Sequence, residues 1–174
     1  MRIRSAETAG FCFGVDRAVS LAEQTAHSCT GAVTLGPIIH NRHVVERFER
    51  MGLHEISCAA EAQPGQTVVI RAHGIPLCEQ QTLAARGAVM VDATCPFVKK
   101  IHVIAQKAEK AGRSLLIIGT PTHPEVVAIA SFSSDAHVFQ TAEALQNWLT
   151  QTPERRNLPF CLVSQTTGTQ KLWE

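Results

Sequence analysis

The sequence predicts an α/β fold in two similar small domains, each a mostly parallel sheet covered by helices. Three observations carry that reading. Short apolar runs of strand length recur along the 174 residues. Amphipathic segments of helical period separate most of them, and Gly or Pro stands at nearly every junction. Alternation of this kind implies parallel pairing, because a parallel strand pair needs a long crossover, which a helix supplies.

The elements follow in order. A first strand is expected over residues 1–4. Residues 15–27 place Val15, Ala18, Val19 and Ala22 on one helical face. A strand at 32–35 leads to a helix at 41–51, whose face is Val44, Val45 and Phe48. Pro64-Gly65 is a turn. Strands are expected at 67–70 and 88–91. Residues 96–111 repeat the helical pattern through Val98, Ile101, Ile104, Ala105 and Ala108, and stop at Gly112. After a strand at 114–118, Pro124 opens a helix near Val126, Val127 and Ala130, as proline does at a first helical position. A last strand is expected at 160–163. Strand, loop and helix begin again around Cys95 to Val98, so the domains are expected at 1–96 and 97–174. Neither an internal repeat nor a low-complexity segment is visible.

Composition narrows the function. Apolar residues at 45% and charged residues at 18% are ordinary for a soluble globular chain. A net charge of +1 gives no reason to expect nucleic acid or a membrane surface as partner. The N-terminus is basic, but Glu7 and Thr8 precede any long apolar stretch, and the longest apolar run, 115–118, is far too short to span a bilayer. A cytoplasmic setting is expected. The six cysteines contain no Cys-x-x-Cys pair, which disfavours a local zinc site; any metal would take ligands from distant loops.

In open parallel sheets, ligands bind beyond the carboxyl ends of the strands. Those ends carry Cys12, His40, His73, Cys95, His123 with Glu125, and Thr166. Cys12 and Cys95 each stand between a strand-like run and a helix, where the helix N-terminus favours the thiolate, the form that binds metal. Three histidines near helix N-termini suit an anion such as phosphate. Neither Gly-x-Gly-x-x-Gly nor a P-loop is present.

Plainer readings apply to many of these residue types. A lone cysteine is more often a small buried hydrophobe, and Cys29, Cys58, Cys78 and Cys161 are read so. His27, His54, His102 and His137 are read as surface or capping residues. His40 and His43 have the i, i+3 spacing of a metal pair, but His43 is more simply a solvated helix face. Thr-Pro-Thr-His-Pro-Glu alone would be a rigid turn. The coincidence of all six loops outweighs any one of them.

Gly10-Phe11-Cys12-Phe13-Gly14-Val15-Asp16-Arg17-Ala18, His40-Asn41-Arg42, Ala72-His73-Gly74, Asp92-Ala93-Thr94-Cys95-Pro96, His123-Pro124-Glu125 and Ser164-Gln165-Thr166-Thr167 resemble, in order and spacing, the signature loops of the LytB family, the 4-hydroxy-3-methylbut-2-enyl diphosphate reductases. The resemblance implies three domains about a pseudo-threefold axis, of which this chain covers about two. It implies reductive removal of an allylic hydroxyl to give isopentenyl and dimethylallyl diphosphates in non-mevalonate isoprenoid biosynthesis, with a ferredoxin or flavodoxin as electron donor. Cys12 and Cys95 would be two of three thiolates on a [4Fe–4S] cluster. His40, His73 and His123 would line the diphosphate pocket, Glu125 would deliver protons, and Thr166 would help hold substrate beside the cluster. Histidines in place of an arginine or lysine fork imply that diphosphate binding responds to pH.

The third cluster cysteine and the Ser and Asn residues of the third domain have no counterpart here, so the expectation is of a reductase complete only when that domain is supplied. The alternatives are a non-catalytic isoprenoid-diphosphate-binding fragment and an inactive remnant.

Overall fold

A computed structural model describes Arg4, Ala6 and residues 9–168. The strand expected at 1–4 therefore lies outside the described residues, apart from Arg4. Among the described residues, seven strands form two sheets, ordered β2-β1-β3-β4 and β6-β5-β7, with every pairing parallel.

The first sheet comprises β1 (Val33–Leu35), β2 (His54–Ile56), β3 (Thr67–Ile70) and β4 (Val89–Asp92). Alternation along its strands sends side chains to two separate cores. Val69 packs with Ala18, Val19 and Ala22 of α1 (Phe13–Ser28) and with Val44 and Phe48 of α2 (Arg42–Arg50). Val33, Leu35, Val68 and Ile70 pack on the other face with Ala59, Ala62, Ile75 and Leu83, the last from α3 (Leu77–Ala85).

The second sheet repeats the plan with β5 (Ser114–Ile118), β6 (Ala136–Phe139) and β7 (Phe160–Ser164). Leu115 and Ile117 meet Ala105 and Ala108 of α4 (Pro96–Lys110) and Val126 and Ile129 of α5 (Pro124–Ala130). Leu116 and Ile118 meet Phe139, Leu145 and Trp148, the last two from α6 (Ala142–Gln151). All five residues of β5 are buried, as a central parallel strand requires.

The structure adds β2, α3, β6 and α6 to the expected elements. It also corrects two sequence readings. His102 is not a surface residue: it is only 6% exposed and stacks on Phe132 at 4.7 Å between ring centroids. Cys29 and Cys161 are half-buried and pack against the cores, whereas Cys58 is half-buried outside them and Cys78 is exposed, so the last two are not core hydrophobes. Among the described residues, no helix is long and apolar enough to cross a membrane.

Candidate functional site

The seven candidate residues stand at or just beyond strand carboxyl ends or at the helix N-termini that follow them. They fall into two groups. Cys12 is the residue preceding α1 and Cys95 the residue preceding α4, and neither thiol caps its own helix. Both line one cleft of about 840 Å³, together with Phe13, Phe97, Lys100 and Thr166.

The two thiol loops are drawn together by α1. Arg17 donates from its two guanidinium nitrogens to the carbonyls of Thr94 and Asp92, each at 3.2 Å, and so ties α1 to the loop carrying Cys95. That loop is also braced by the Cys95 amide, which donates to the Ala72 carbonyl at 2.9 Å. Gly14 allows close approach: a Cβ there would lie 2.4 Å from the Cys95 sulfur. Arg17 is a positioning residue that sequence reasoning missed, although it stands inside the Gly-Val-Asp-Arg run.

His40, His73 and His123 converge from the loops after β1, β3 and β5. Their ring centroids are 4.7, 5.3 and 6.2 Å apart for the His40–His73, His73–His123 and His40–His123 pairs. One ring nitrogen of each lies within 4.8 Å of the others. Burial pushes His73 down to about 4, helped by the neighbouring His40, His123 and Arg71, so its ring is neutral near pH 7. Its Nδ1 is buried with no hydrogen-bond partner among the described residues.

Three imidazoles at this spacing suit either a metal ion or an anion. The hydrogen bond at His123 favours the anion. The backbone N–H of Glu125 donates to His123 Nδ1 at 3.2 Å, which fixes the neutral tautomer with its proton on Nε2. A metal-ligating histidine does the reverse, donating its second nitrogen's proton to an acceptor. His123 thus keeps its donor at Nε2. His43 is exposed on α2 and does not join it.

Glu125 links the two groups. It is 1% exposed, and its oxygens accept from the Thr166 amide at 2.6 Å and from Thr166 Oγ1 at 2.8 Å. Thr166 lines the cysteine cleft, and Glu125 is two residues beyond His123. A carboxylate shared in this way can hold a proton between the histidine triangle and the thiols. Gln165 steadies the segment, accepting from the Thr120 amide at 3.1 Å and donating to Thr167 Oγ1 at 2.7 Å.

The donor set fits part of an iron–sulfur ligand shell. Two thiols face one open cleft at helix N-termini, and thiolate sulfur is the ligand such clusters take. Among the described residues no other cysteine lines that cleft; Cys161 sits on β7 and packs against the α4–α5 core.

Comparison with known proteins identifies the family. The model of the LytB protein family matches residues 3–174. A 4-hydroxy-3-methylbut-2-enyl diphosphate reductase of Oleidesulfovibrio alaskensis is 44% identical over 170 residues, covering 96% of this chain and 59% of the relative. The enzyme of the same name from Clostridioides difficile is 34% identical, with 99% and 61% covered. Among solved structures, an (E)-4-hydroxy-3-methyl-but-2-enyl diphosphate reductase superposes with a TM-score of 0.78 at 35% identity, covering 97% of this chain and 59% of that one. The E-1-hydroxy-2-methyl-but-2-enyl-4-diphosphate reductase of Plasmodium falciparum gives 0.83 at 25% identity, with 96% and 52% covered. This chain thus spans about 59% of the length of the first relative. It belongs to the LytB family.

Proposed function

We propose that the chain supplies the diphosphate pocket, the proton relay and two of the cluster thiolates of a 4-hydroxy-3-methylbut-2-enyl diphosphate reductase. The observation that carries this is the Glu125–Thr166 pair, which joins the histidine triangle to the cysteine cleft through two hydrogen bonds. His40, His73 and His123 bind the diphosphate, with His123 donating from Nε2. Cys12 and Cys95 hold a [4Fe–4S] cluster in company with a further thiolate. When bound, such a cluster supplies electrons and an open iron that polarises the allylic oxygen.

The chain's own residues do the rest. The triangle anchors one end of the substrate, so that the hydroxyl end lies along the cleft. Glu125 holds the proton that the departing hydroxide needs to leave as water, and Thr166 Oγ1 passes it into the cleft. Phe13 and Phe97, both exposed beside the thiols, are apolar surfaces suited to excluding water from the reacting carbon. Isopentenyl and dimethylallyl diphosphates are the products, a ferredoxin or flavodoxin the electron donor, and the cytoplasm the setting.

Anaerobic reconstitution with iron and sulfide tests the reading: a brown protein is expected that, once reduced with dithionite, is reoxidised by the substrate. A colourless Cys12→Ser variant alongside a coloured parent supports it, and colour unchanged by that substitution refutes it. A second reading, a diphosphate-binding module without cluster chemistry, is favoured by one contrast. The three histidines of the triangle all come from this chain, whereas among the described residues only two thiols line the cleft. Calorimetry with an isoprenoid diphosphate on Cys12→Ser/Cys95→Ser would show binding intact in that case, with no reductase activity in the parent.

A further inference from the structure

Two glycines next to the histidine pocket adopt left-handed backbone and are crowded by side chains from elsewhere. Gly36, with φ of +70°, opens the loop that leads to His40; a Cβ on it would meet an Arg71 guanidinium nitrogen at 2.6 Å. Gly74, with φ of +74°, follows His73, and its carbonyl accepts from Arg71 Nε at 3.1 Å. One side chain therefore fills the space of a missing Cβ in the first loop and bonds the backbone of the second. An aliphatic or lysine side chain cannot do both, since only a guanidinium carries a donor along its stem and a flat terminus beyond it.

We propose that Arg71 is the positioning residue of the diphosphate pocket, locking the His40 and His73 loops at the spacing an anion requires. This rests on the diphosphate reading of the histidine triangle. The guanidinium is half-buried, with Leu35, Ser57, Ile75, Pro76 and Glu79 around a cavity of about 120 Å³ beside it. Burial lowers its proton affinity, while Glu55 of β2 and Glu79 of α3 work against that, and the guanidinium stays cationic. On the other side it adds to the pressure that His40 and His123 exert against a charge on His73. Glu79 is itself committed, accepting from the Ala59 amide at 2.6 Å. Arg71 thus acts on the pocket through the loops and through His73, without touching the anion.

The test compares Arg71→Met and Arg71→Lys in the full chain, using inorganic pyrophosphate as the calorimetric probe and ring NMR for the His73 midpoint. Affinity should fall at least about tenfold in Arg71→Met and several-fold in Arg71→Lys, because a small misplacement of converging donors is costly. The His73 midpoint should rise in Arg71→Met and stay low in Arg71→Lys, which keeps the charge. Parent-like affinity in either variant overturns the lock. So does an unmoved midpoint in Arg71→Met, since a general loosening would weaken binding without that signature. If Arg71→Met does not fold, the affinity of Arg71→Lys decides alone. A parent chain that binds no pyrophosphate sinks the diphosphate reading instead, and the midpoint in Arg71→Met still decides whether Arg71 sets His73.

Discussion

The histidine triangle and the cysteine cleft share one edge of the molecule but are held in different ways. Each histidine is constrained by its surroundings: His123 by the Glu125 amide, His73 by burial, and His40 by the rings beside it. The thiols are exposed or half-buried, and their placement comes from backbone braces: Arg17 on the strand-end carbonyls and Cys95 on Ala72. A pocket that recognises a ligand by donor geometry needs its side chains fixed in advance. A thiolate that will be fixed by a covalent-strength metal bond needs only its backbone aimed.

That contrast predicts separable functions, and the largest effects test it directly. His73→Ala should lower pyrophosphate affinity at least tenfold, roughly the loss expected for one charge-assisted hydrogen bond. Iron bound on anaerobic reconstitution should be unchanged. Cys12→Ser and Cys95→Ser should abolish iron binding and leave pyrophosphate affinity within about twofold, a shift of a few tenths of a kcal/mol. Parallel loss of both properties in any one variant would show that the two regions are a single structural unit.

Glu125, the residue between them, separates stability from chemistry. Glu125→Ala removes a fully buried side chain and orphans the Thr166 amide, at about 2–4 kcal/mol in chemical denaturation. Glu125→Gln keeps the shape and one acceptor, so it should cost roughly 1 kcal/mol, and under the proposed function it abolishes reductase turnover. Turnover surviving in the Gln variant would remove Glu125 from the proton path.

Acid should weaken the fold through α4, the helix that follows Cys95 and places His102 against Gly74. A Cβ at Gly74 would meet the His102 ring at 2.5 Å, and His102 Nε2 is buried without a partner among the described residues. Burial holds His102 at about 4 against an ordinary 6.5, despite the opposing pull of Asp92. The folded value is the lower one, so the unfolded chain takes up the proton first as pH drops. Stability is full above about pH 6.5 and declines toward pH 4, with His102 contributing on the order of 2–3 kcal/mol of the loss. His73 adds to the decline in the same window, discounted for its exposure. Asp135, held at about 2 chiefly by Ser114 and Arg155, acts only in stronger acid. Denaturation midpoints at pH 7.5 and 4.5 should converge substantially in His102→Phe; an undiminished acid effect would place its origin elsewhere.

The sequence was most legible where a residue's own neighbours dictate its state. The faces of α1, α2 and α4 and the buried run of β5 announce themselves through period and hydrophobicity. The additional elements bury little. β2 is His-Glu-Ile with none of its residues buried, β6 buries only Phe139, and α6 buries none. Edge elements of this kind carry almost no pattern. The site was legible as a set of loops, because chemistry-bearing residues beside Gly and Pro collect at strand ends. Its braces were not. Arg17 reaches Thr94, 77 residues away, while Arg71 and His102 crowd Gly36 and Gly74, glycines that look like ordinary turns until the fold brings the crowding side chain in.

The smallest expected effect on stability gives the sharpest view of the cysteine side. Gly14 is the second residue of α1, where alanine would be favoured by about 0.5–1 kcal/mol on helix propensity alone. Against that, the new methyl would sit 2.4 Å from the Cys95 sulfur, so the thiol must turn away. The two effects oppose each other in stability, and Gly14→Ala should denature within about 1 kcal/mol of the parent. They do not oppose each other in metal binding, where only the displaced sulfur counts. Iron retained after reconstitution should fall several-fold while pyrophosphate affinity is unchanged, because the atoms nearest the new methyl all belong to Cys95. Full iron retention would mean that the cleft accommodates a second position for Cys95, and that backbone aim, rather than the thiol's resting place, is what the site requires.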